Sequence, residues 1–202
     1  MASNRPNESS SKSKKRLWFA LATLLLLPLG AVVACYLKWL AWDHRLIEVT
    51  PQRVFQSAAM PPADLLAACR QHGIRTVIDL RDCRPMDVQQ EADALNETTT
   101  RHVHLPTSSW PIAHEVDAFL RTLAAAQKPV LVHCHHGEGR SVMMCAVHRI
   151  QNEGWSNQRA FDGTQRLPSS LSWLGDWLPS LRRFGREQPK GQFVLSYRPR
   201  SD

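Results

Sequence analysis

The sequence predicts an α/β domain with a mainly parallel central sheet flanked by helices, preceded by one transmembrane helix. Short apolar runs of strand length alternate with longer segments whose apolar residues recur at helical spacing. Ahead of them, residues 17–37 form an unbroken uncharged run. We expect a basic disordered tail at 1–16, a transmembrane helix at 17–37, the folded domain at 49–187 and a polar tail at 188–202.

The uncharged run is typical of a membrane anchor. Its length is enough to cross about 30 Å of hydrocarbon. Aromatic residues stand near both ends, as they do at membrane interfaces: Trp18, Tyr36, Trp39 and Trp42. A cleaved signal peptide is the alternative, because residues 31–34 resemble a weak cleavage site, but the run is longer than a usual signal core.

Charge predicts the orientation of this anchor. The segment before the run carries five basic residues and one acidic residue, whereas the charges just after it nearly cancel. The positive-inside rule then places the N-terminus in the cytoplasm and the domain outside the inner membrane, in the periplasm if the host is a bacterium. The formal net charge is +7, and much of it lies in the tail. The domain is therefore weakly basic, which suits an anionic ligand, and it carries no nucleic-acid motif.

The predicted elements of the domain follow in chain order. Strands are expected at residues 54–55, 76–80, 101–105 and 130–132. Helices are expected at 63–72, 88–95 and 111–126, after Arg140, and near 157–164 and 170–184. The last helix carries a stripe that we assign to the core, made of Trp173, Leu174, Trp177 and Leu178. Within the polar tail we expect at most one short strand, at 192–197.

The stretch from 129 to 141 carries the chemistry. Cys134 to Arg140 forms a loop between a predicted strand and the start of a helix, where free N–H groups and the helix dipole favour an anion. A thiol at this position beside a guanidinium has a lowered pKa. Arg140 can grip two oxygens of a phosphate, and the Ser141 hydroxyl can hydrogen-bond the sulfur. The combination predicts a nucleophile beneath a bound phosphate.

These residues resemble a known signature. His133 and Cys134, followed by five residues, Arg140 and Ser141, with a glycine at 137, are similar to the motif of the cysteine-dependent protein tyrosine and dual-specificity phosphatases. Residues 54–57 and 73–81 also resemble the N-terminal half of bacterial and fungal members, so the likeness covers about 49–151. Rhodanese-type sulfur carriers place a cysteine on a similar loop, but that loop is usually one residue shorter.

The resemblance implies a metal-independent phosphatase without a cofactor. Cys134 attacks phosphorus, and the oxygens are held by Arg140 and by the backbone amides of the rest of the loop: His135, His136, Gly137, Glu138 and Gly139. The rings of His135 and His136 either face the substrate or are solvated at the rim. We expect His133 to hydrogen-bond backbone near the loop, and Glu138 to point away from the phosphate, toward Arg140 or a neighbouring backbone. The substrate is a phosphotyrosine protein or a phospholipid head group. A phosphate-binding pseudophosphatase that recognises a partner without turnover is the alternative.

The proton donor for the leaving group departs from the family pattern. Family members usually carry an Asp on the loop after the strand equivalent to 101–105, but residues 106–111 contain no carboxylate. We take Asp82, at the end of the strand 76–80, as the substitute acid, with Asp79 less available because it lies within the strand. Weaker options are Asp87, His114 and Glu115.

The five cysteines predict no disulfide framework or metal site, because their number is odd and they lack C-x-x-C spacing. Cys35 lies in the apolar run, and Cys69 and Cys145 lie on predicted helices as small core residues. Cys83 follows the strand 76–80, near the expected rim of the site, where a redox role toward Cys134 is an alternative.

Overall fold

The computed structural model describes residues 8–110, 112–164, 167, 174, 177, 181 and 183–200. The chain divides into two compact units, Met1–Lys38 and Trp39–Asp202. Helix α1, Glu8–Ala41, accounts for the described part of the first unit. Its stretch Leu21–Ala41 is long and apolar enough to cross a membrane, with a mean hydropathy of 1.9. The helix begins at Glu8, inside the segment that we predicted to be disordered, because each residue added to an existing helix gains a hydrogen bond.

The second unit contains a five-stranded sheet with helices on both faces. The strands are β1 (Ile47–Thr50), β2 (Val54–Ala58), β3 (Thr76–Asp79), β4 (Arg101–His104) and β5 (Val130–Cys134). The helices described are α2 (Pro62–His72), α3 (Pro85–Asn96), α4 (Ala113–Ala125), α5 (Arg140–Glu153), α6 (Asn157–Asp162) and α7 (Pro189–Ser196).

The sheet confirms the predicted fold class. The strand order is β1-β2-β5-β3-β4, and every pair is parallel except β1 with β2. Strand β5 lies in the centre, with Cys134 paired to Ala58 of β2 and His133 paired to Asp79 of β3. The carboxyl ends of these three parallel strands therefore meet at one edge, where open α/β sheets bind their ligands.

Two hydrophobic clusters cover the two faces of the sheet. Ile78, Val130 and Val132 face the cluster that α4, α5, α6 and α7 complete. Val77 and Leu131, their neighbours along the strands, face the cluster that contains α2 and α3. This alternation follows from the pleat of each strand. Because both faces are covered, β5 is a continuous apolar run from Val130 to Val132.

The structure contradicts two of the predictions about elements, contains one strand that was not predicted, and leaves one predicted helix mostly outside the described residues. The predicted strand at 192–197 is wrong: the segment belongs to α7, which has Pro189 in its first turn and buries Val194 against the core. Strand β1 was not predicted. The predicted helix at 170–184 lies mostly outside the described residues, as do Trp173 and Leu178 of its stripe. Trp177 is described and is 80% exposed, so its assignment to the core is wrong.

Candidate active site

The loop between β5 and α5 is fixed by close backbone contact. Gly137 has φ +63, and a Cβ at this residue would lie 2.5 Å from the backbone N of Ala58, so only glycine fits. The Gly137 carbonyl accepts hydrogen bonds from Gln56 Nε2 at 3.1 Å and from Arg183 Nη1 at 2.6 Å. The neighbouring strand β2 and a later segment of the chain therefore hold the loop from two sides.

The Cys134 thiol lies at the base of this loop, with only 4% of the residue exposed. Burial alone raises the pKa of a thiol, but here hydrogen bonds outweigh it. The Ser141 hydroxyl lies 3.3 Å from Sγ, and the amides of Ser141, Gly137 and Gly139 also point at the sulfur, so the pKa of Cys134 lies below its ordinary value. These contacts favour the thiolate form of Cys134.

The Arg140 guanidinium is held by groups at the end of β3. Its Nη1 donates to the Leu80 carbonyl at 3.0 Å and to Asp82 Oδ1 at 2.7 Å. Asp82 therefore lies beside Arg140, at the edge of the site, with 41% of its side chain exposed. Nothing in this contact tests the predicted role of Asp82 as an acid, which stays a prediction.

Three of the remaining acid candidates have other partners, whereas His114 is exposed at the start of α4. Asp79 is fully buried and binds Arg81, and Glu115 accepts hydrogen bonds from the Ser108 amide at 3.1 and 3.0 Å. Asp87 pairs with Arg84 at 3.5 Å on the surface. Each of these three carboxylates is therefore paired with a group other than the Cys134 loop.

The variable residues of the loop form its rim. His135 and His136 meet edge to face, with ring centroids 4.3 Å apart. Burial, followed by the nearby His136 and Arg84, lowers the pKa of His135, so this ring is neutral at neutral pH. Glu138 pairs with Arg45 at 3.3 Å. Its carboxylate is thus directed to Arg45, rather than to Arg140 or a backbone group as we expected.

A buried charge cluster lies behind the loop. His133 Nε2 is 2.8 Å from Glu91 Oε1, so the expected backbone partner of His133 is wrong. Arg81 binds both Asp79 and Glu91, at 2.8 and 2.6 Å. Despite the opposing effect of burial, His133 and Arg81 hold the pKa of Glu91 well below its usual range, and Glu91 raises the pKa of His133.

This cluster also contains a potential metal-ligand set. Ligand atoms of Asp79, Glu91 and His133 lie within 4.8 Å of one another. However, the Arg81 guanidinium already contacts both carboxylates, and its positive charge would repel a metal cation placed between them. The donor set fits a buried ion-pair network better than a metal.

An open cavity of about 220 Å³ lies above the loop, lined by Cys134, His135, His136, Glu138, Gly139 and Arg140. Two further residues line it, Ser109 and Lys190. Lys190, from α7, donates from Nζ to the Ser109 carbonyl at 2.5 Å. Sequence reasoning missed Lys190 because a single lysine in a polar segment carries no motif. The predicted residues Ser141, Gly137 and Asp82 do not line the cavity. Ser141 contacts the Cys134 sulfur, Asp82 contacts Arg140, and Gly137 forms the turn of the loop.

The other cysteines behave as small core or surface residues. None of the five described cysteines forms a disulfide, and Cys69 and Cys145 lie in the core, as predicted. Burial raises the pKa of Cys69 to about 11 and that of Cys145 to about 12. Cys83 is exposed, whereas Cys134 is buried. The redox role considered for Cys83 stays a prediction.

The fold and the loop define the class of cysteine-based phosphatase domains. Residues 43–171 match the family model described as a DSP-PTPase phosphatase fused to NAD+ kinase, which is more than half of the chain. The chain belongs to this family, and the family resemblance predicted from the sequence is confirmed.

Individual relatives agree with this assignment. The chain is 33% identical over 113 residues to the dual specificity protein phosphatase TpbA of Pseudomonas aeruginosa, covering 54% of this chain and 49% of the relative. A second strain's TpbA is 31% identical over 112 residues, covering 54% and 48%. The chain thus spans about half the length of the curated relatives it matches.

Solved structures show the same fold. The crystal structure of P. aeruginosa TpbA in complex with pTyr is 28% identical with a TM-score of 0.51, covering 59% of this chain and 71% of that one. The core catalytic domain of the PP-IP phosphatase SIW14 from S. cerevisiae, in complex with citrate, has a TM-score of 0.57, covering 76% and 85%. At 17% identity, this second likeness concerns the fold alone.

Proposed function

We propose that the chain hydrolyses phosphomonoesters through a phosphocysteine intermediate. One observation carries the proposal: a buried thiol whose pKa is lowered by Ser141 and loop amides shares one cavity with the guanidinium of Arg140. A thiolate is a strong nucleophile at neutral pH, and a guanidinium in a partly buried site binds phosphate oxygens strongly. The absence of a carboxylate from residues 106–111 favours the pseudophosphatase alternative, whereas the intact pair of Cys134 and Arg140 argues against it.

Most residues of the loop have a role in this mechanism. The Cys134 thiolate attacks phosphorus, while Arg140 and the loop amides hold the oxygens whose charge is redistributed in the transition state. The Ser141 hydroxyl, 3.3 Å from Sγ, stabilises the thiolate before attack and again when water releases it from phosphorus. Gly137 allows the tight turn, and His135, His136 and Gly139 line the entrance.

Asp82 supports this mechanism through Arg140. A carboxylate 2.7 Å from Nη1 orients the guanidinium, whose Nη2 donates only a long hydrogen bond, 3.5 Å, to the Ser109 hydroxyl and can turn to substrate. This positioning role differs from the acid role predicted from the sequence. Loss of a positioning residue should slow aryl and alkyl phosphates alike, whereas loss of the acid should slow mainly the alkyl phosphate.

We assign phosphotyrosine in proteins as the substrate class. The support is the relative whose crystal structure contains pTyr, which is 28% identical to this chain. The test uses the full chain in detergent with phosphotyrosine peptides, phosphoserine peptides and phospholipid vesicles, assayed for released phosphate. Preferential release from phosphotyrosine peptides is expected. Release from phospholipids alone would contradict this assignment and favour the lipid class that the sequence left open.

We also propose that α1 anchors the chain in the inner membrane, with the catalytic unit in the periplasm. The support is the apolar stretch Leu21–Ala41 and the basic residues that precede it. Alkaline phosphatase fused after Asp202 is active only when exported, so an active fusion is expected. An inactive fusion, together with fluorescence from green fluorescent protein fused at the same point, would place the catalytic unit in the cytoplasm.

A further inference from the structure

The cavity above Cys134 lacks a free carboxylic acid among the residues that the structure describes. Expulsion of an alkoxide from phosphorus is slow unless the leaving oxygen receives a proton. The one carboxylate that lines the described part of the cavity belongs to Glu138, which is directed to Arg45 at 3.3 Å. Asp82 is engaged with Arg140 and does not line the cavity. These contacts occupy both carboxylates, which leaves the other proton-bearing groups of the cavity as candidate donors.

Lys190 has the position that such a donor needs. Its side chain packs on the loop, since a Cβ added at Gly139 would lie 3.3 Å from Cε and 3.8 Å from Nζ of Lys190. The Nζ donates one hydrogen bond, to the Ser109 carbonyl at 2.5 Å. An ammonium has three protons, so others remain for a ligand in the cavity. Ser109 and Lys190 both line the cavity.

The charges around Lys190 favour release of a proton. The titratable or charged groups that face it in the cavity are Cys134, His135, His136, Glu138 and Arg140. Among the described residues, no carboxylate lies within ion-pair distance of Lys190, whereas Arg140 is paired with Asp82. Burial, followed by the nearby Arg140, lowers the pKa of Lys190 from its ordinary value, although Cys134 opposes this. A lysine in this setting is a better acid than a solvated one.

We propose that Lys190 is the proton donor to the leaving oxygen of the phosphomonoester. The inference rests on the proposed function, since it concerns the first step of that reaction. Cys134 Sγ forms a bond to phosphorus, the bond from phosphorus to the leaving oxygen breaks, and that oxygen takes a proton from Nζ to leave as an alcohol. The neutral amine then regains a proton from the water that hydrolyses the phosphocysteine, which restores both the thiolate and the ammonium.

Two other groups that line the cavity, His135 and His136, can carry a proton, and the experiment must distinguish their roles from that of Lys190. His135 is neutral at neutral pH because its pKa is lowered, so it is a poor donor there. His136 lies on the same rim and accepts a hydrogen bond from Arg45 Nη1 through its carbonyl, which leaves its ring available. A His136→Gln variant therefore accompanies the lysine variants in the test.

The experiment compares an aryl phosphate, whose leaving group needs no proton, with an alkyl phosphate, whose leaving group does. The full chain in detergent is assayed as wild type, Lys190→Met, Lys190→Arg and His136→Gln, with Arg121→Met as the control for loss of an exposed positive charge. For Lys190→Met we expect kcat/KM on the alkyl phosphate to fall about 100-fold or more, with a much smaller fall on the aryl phosphate. Lys190→Arg keeps the charge but cannot donate its proton at neutral pH, so its KM is retained and its kcat on the alkyl phosphate falls.

The pH profile supplies a second readout. Wild type should lose activity on the alkyl phosphate at alkaline pH as Lys190 deprotonates, and this limb should disappear in Lys190→Met. Equal losses on both substrates in Lys190→Met, rescue of the alkyl reaction by arginine, or a selective loss in His136→Gln alone would each overturn the inference. Wild type that hydrolyses neither phosphate would instead contradict the proposed function itself.

Discussion

At the residue scale, the site depends on a thiol whose burial and activation oppose each other. Burial raises the pKa of a thiol, as Cys69 and Cys145 illustrate. At Cys134 the same burial is outweighed by one hydroxyl and several amides that point at the sulfur. The difference comes from the loop, because its backbone N–H groups converge on one point instead of pairing within a helix or strand.

Asp82 provides a prediction at this scale. If its carboxylate orients Arg140, the Asp82→Asn variant should lower kcat/KM on aryl and alkyl phosphates by a similar factor, about 10- to 100-fold, because misplacement of Arg140 affects both. Steady-state kinetics on the two substrates measures this. Asp87→Asn is the matched control, since the ion pair of Asp87 in the described part of the chain is with the exposed Arg84.

The opposite outcome for Asp82 is equally informative. A loss confined to the alkyl phosphate would mean that Asp82 delivers the proton, as the sequence predicted, and would contradict the positioning role. It would also remove the need for Lys190 as the donor.

Glu91 provides a prediction about pH and stability. Glu91→Gln should lower the free energy of unfolding by roughly 3 kcal/mol at pH 6. The substitution removes the negative charge that the buried Arg81 and His133 pair with. The folded-state pKa of Glu91 is depressed, so its contribution is present above the ordinary Glu value near ~4.3 and is lost as pH falls below it. The difference from wild type should therefore shrink below about pH 4.

Urea unfolding from pH 3 to 7 measures this dependence, with Glu97→Gln, an exposed position, as the control. A difference between wild type and Glu91→Gln that stays constant over this range would contradict the ionised state assigned to Glu91.

At the element scale, the unit formed by β5, the loop and α5 was the easiest part to predict. Val130 to Val132 gives a buried strand, Gly137 gives the turn, and the residue types at 134, 140 and 141 are all local in sequence. The partner of His133 was not predictable in the same way. Glu91 lies on α3, and only the parallel pairing of β3 with β5 brings the buried cluster together.

Helix α7 shows where sequence reasoning failed. Its segment is short, polar and contains Gly191, which is unfavourable inside a helix, so the pattern indicated a tail. Tertiary contact overrides that propensity. Val194 is fully buried, and a Cβ at Gly191 would lie 2.1 Å from the Gly185 carbonyl oxygen, so the helix packs closely on its own preceding turn.

This close contact predicts the effect of Gly191→Ala. The added methyl group must push α7 away from residue 185, at a cost of about 1–3 kcal/mol, and Lys190 should move with it. We expect a lower Tm and a fall in alkyl phosphate turnover. Gly185→Ala is the matched control, because a Cβ there meets no atom within 4 Å. Equal effects of the two substitutions would contradict this account.

At the scale of the whole molecule, the site is assembled from segments far apart in sequence. Arg140 is held by the end of β3, the cavity wall comes from residue 109, and Lys190 comes from α7. The fold class followed from alternating strand and helix patterns, and the proposed nucleophile from one local motif. Groups that reach the site through tertiary packing alone, such as Lys190 and Arg45, left no pattern in the sequence.

The central claim is covalent catalysis by Cys134, and acid-quench mass spectrometry tests it most directly. The full chain in detergent is mixed with an aryl phosphate and quenched within one turnover, in the presence and absence of EDTA. The account predicts a phosphoryl group on the peptide that contains Cys134 under both conditions, and neither adduct nor turnover in Cys134→Ser. Turnover near the wild-type rate in Cys134→Ser, or an adduct on another residue, would contradict it.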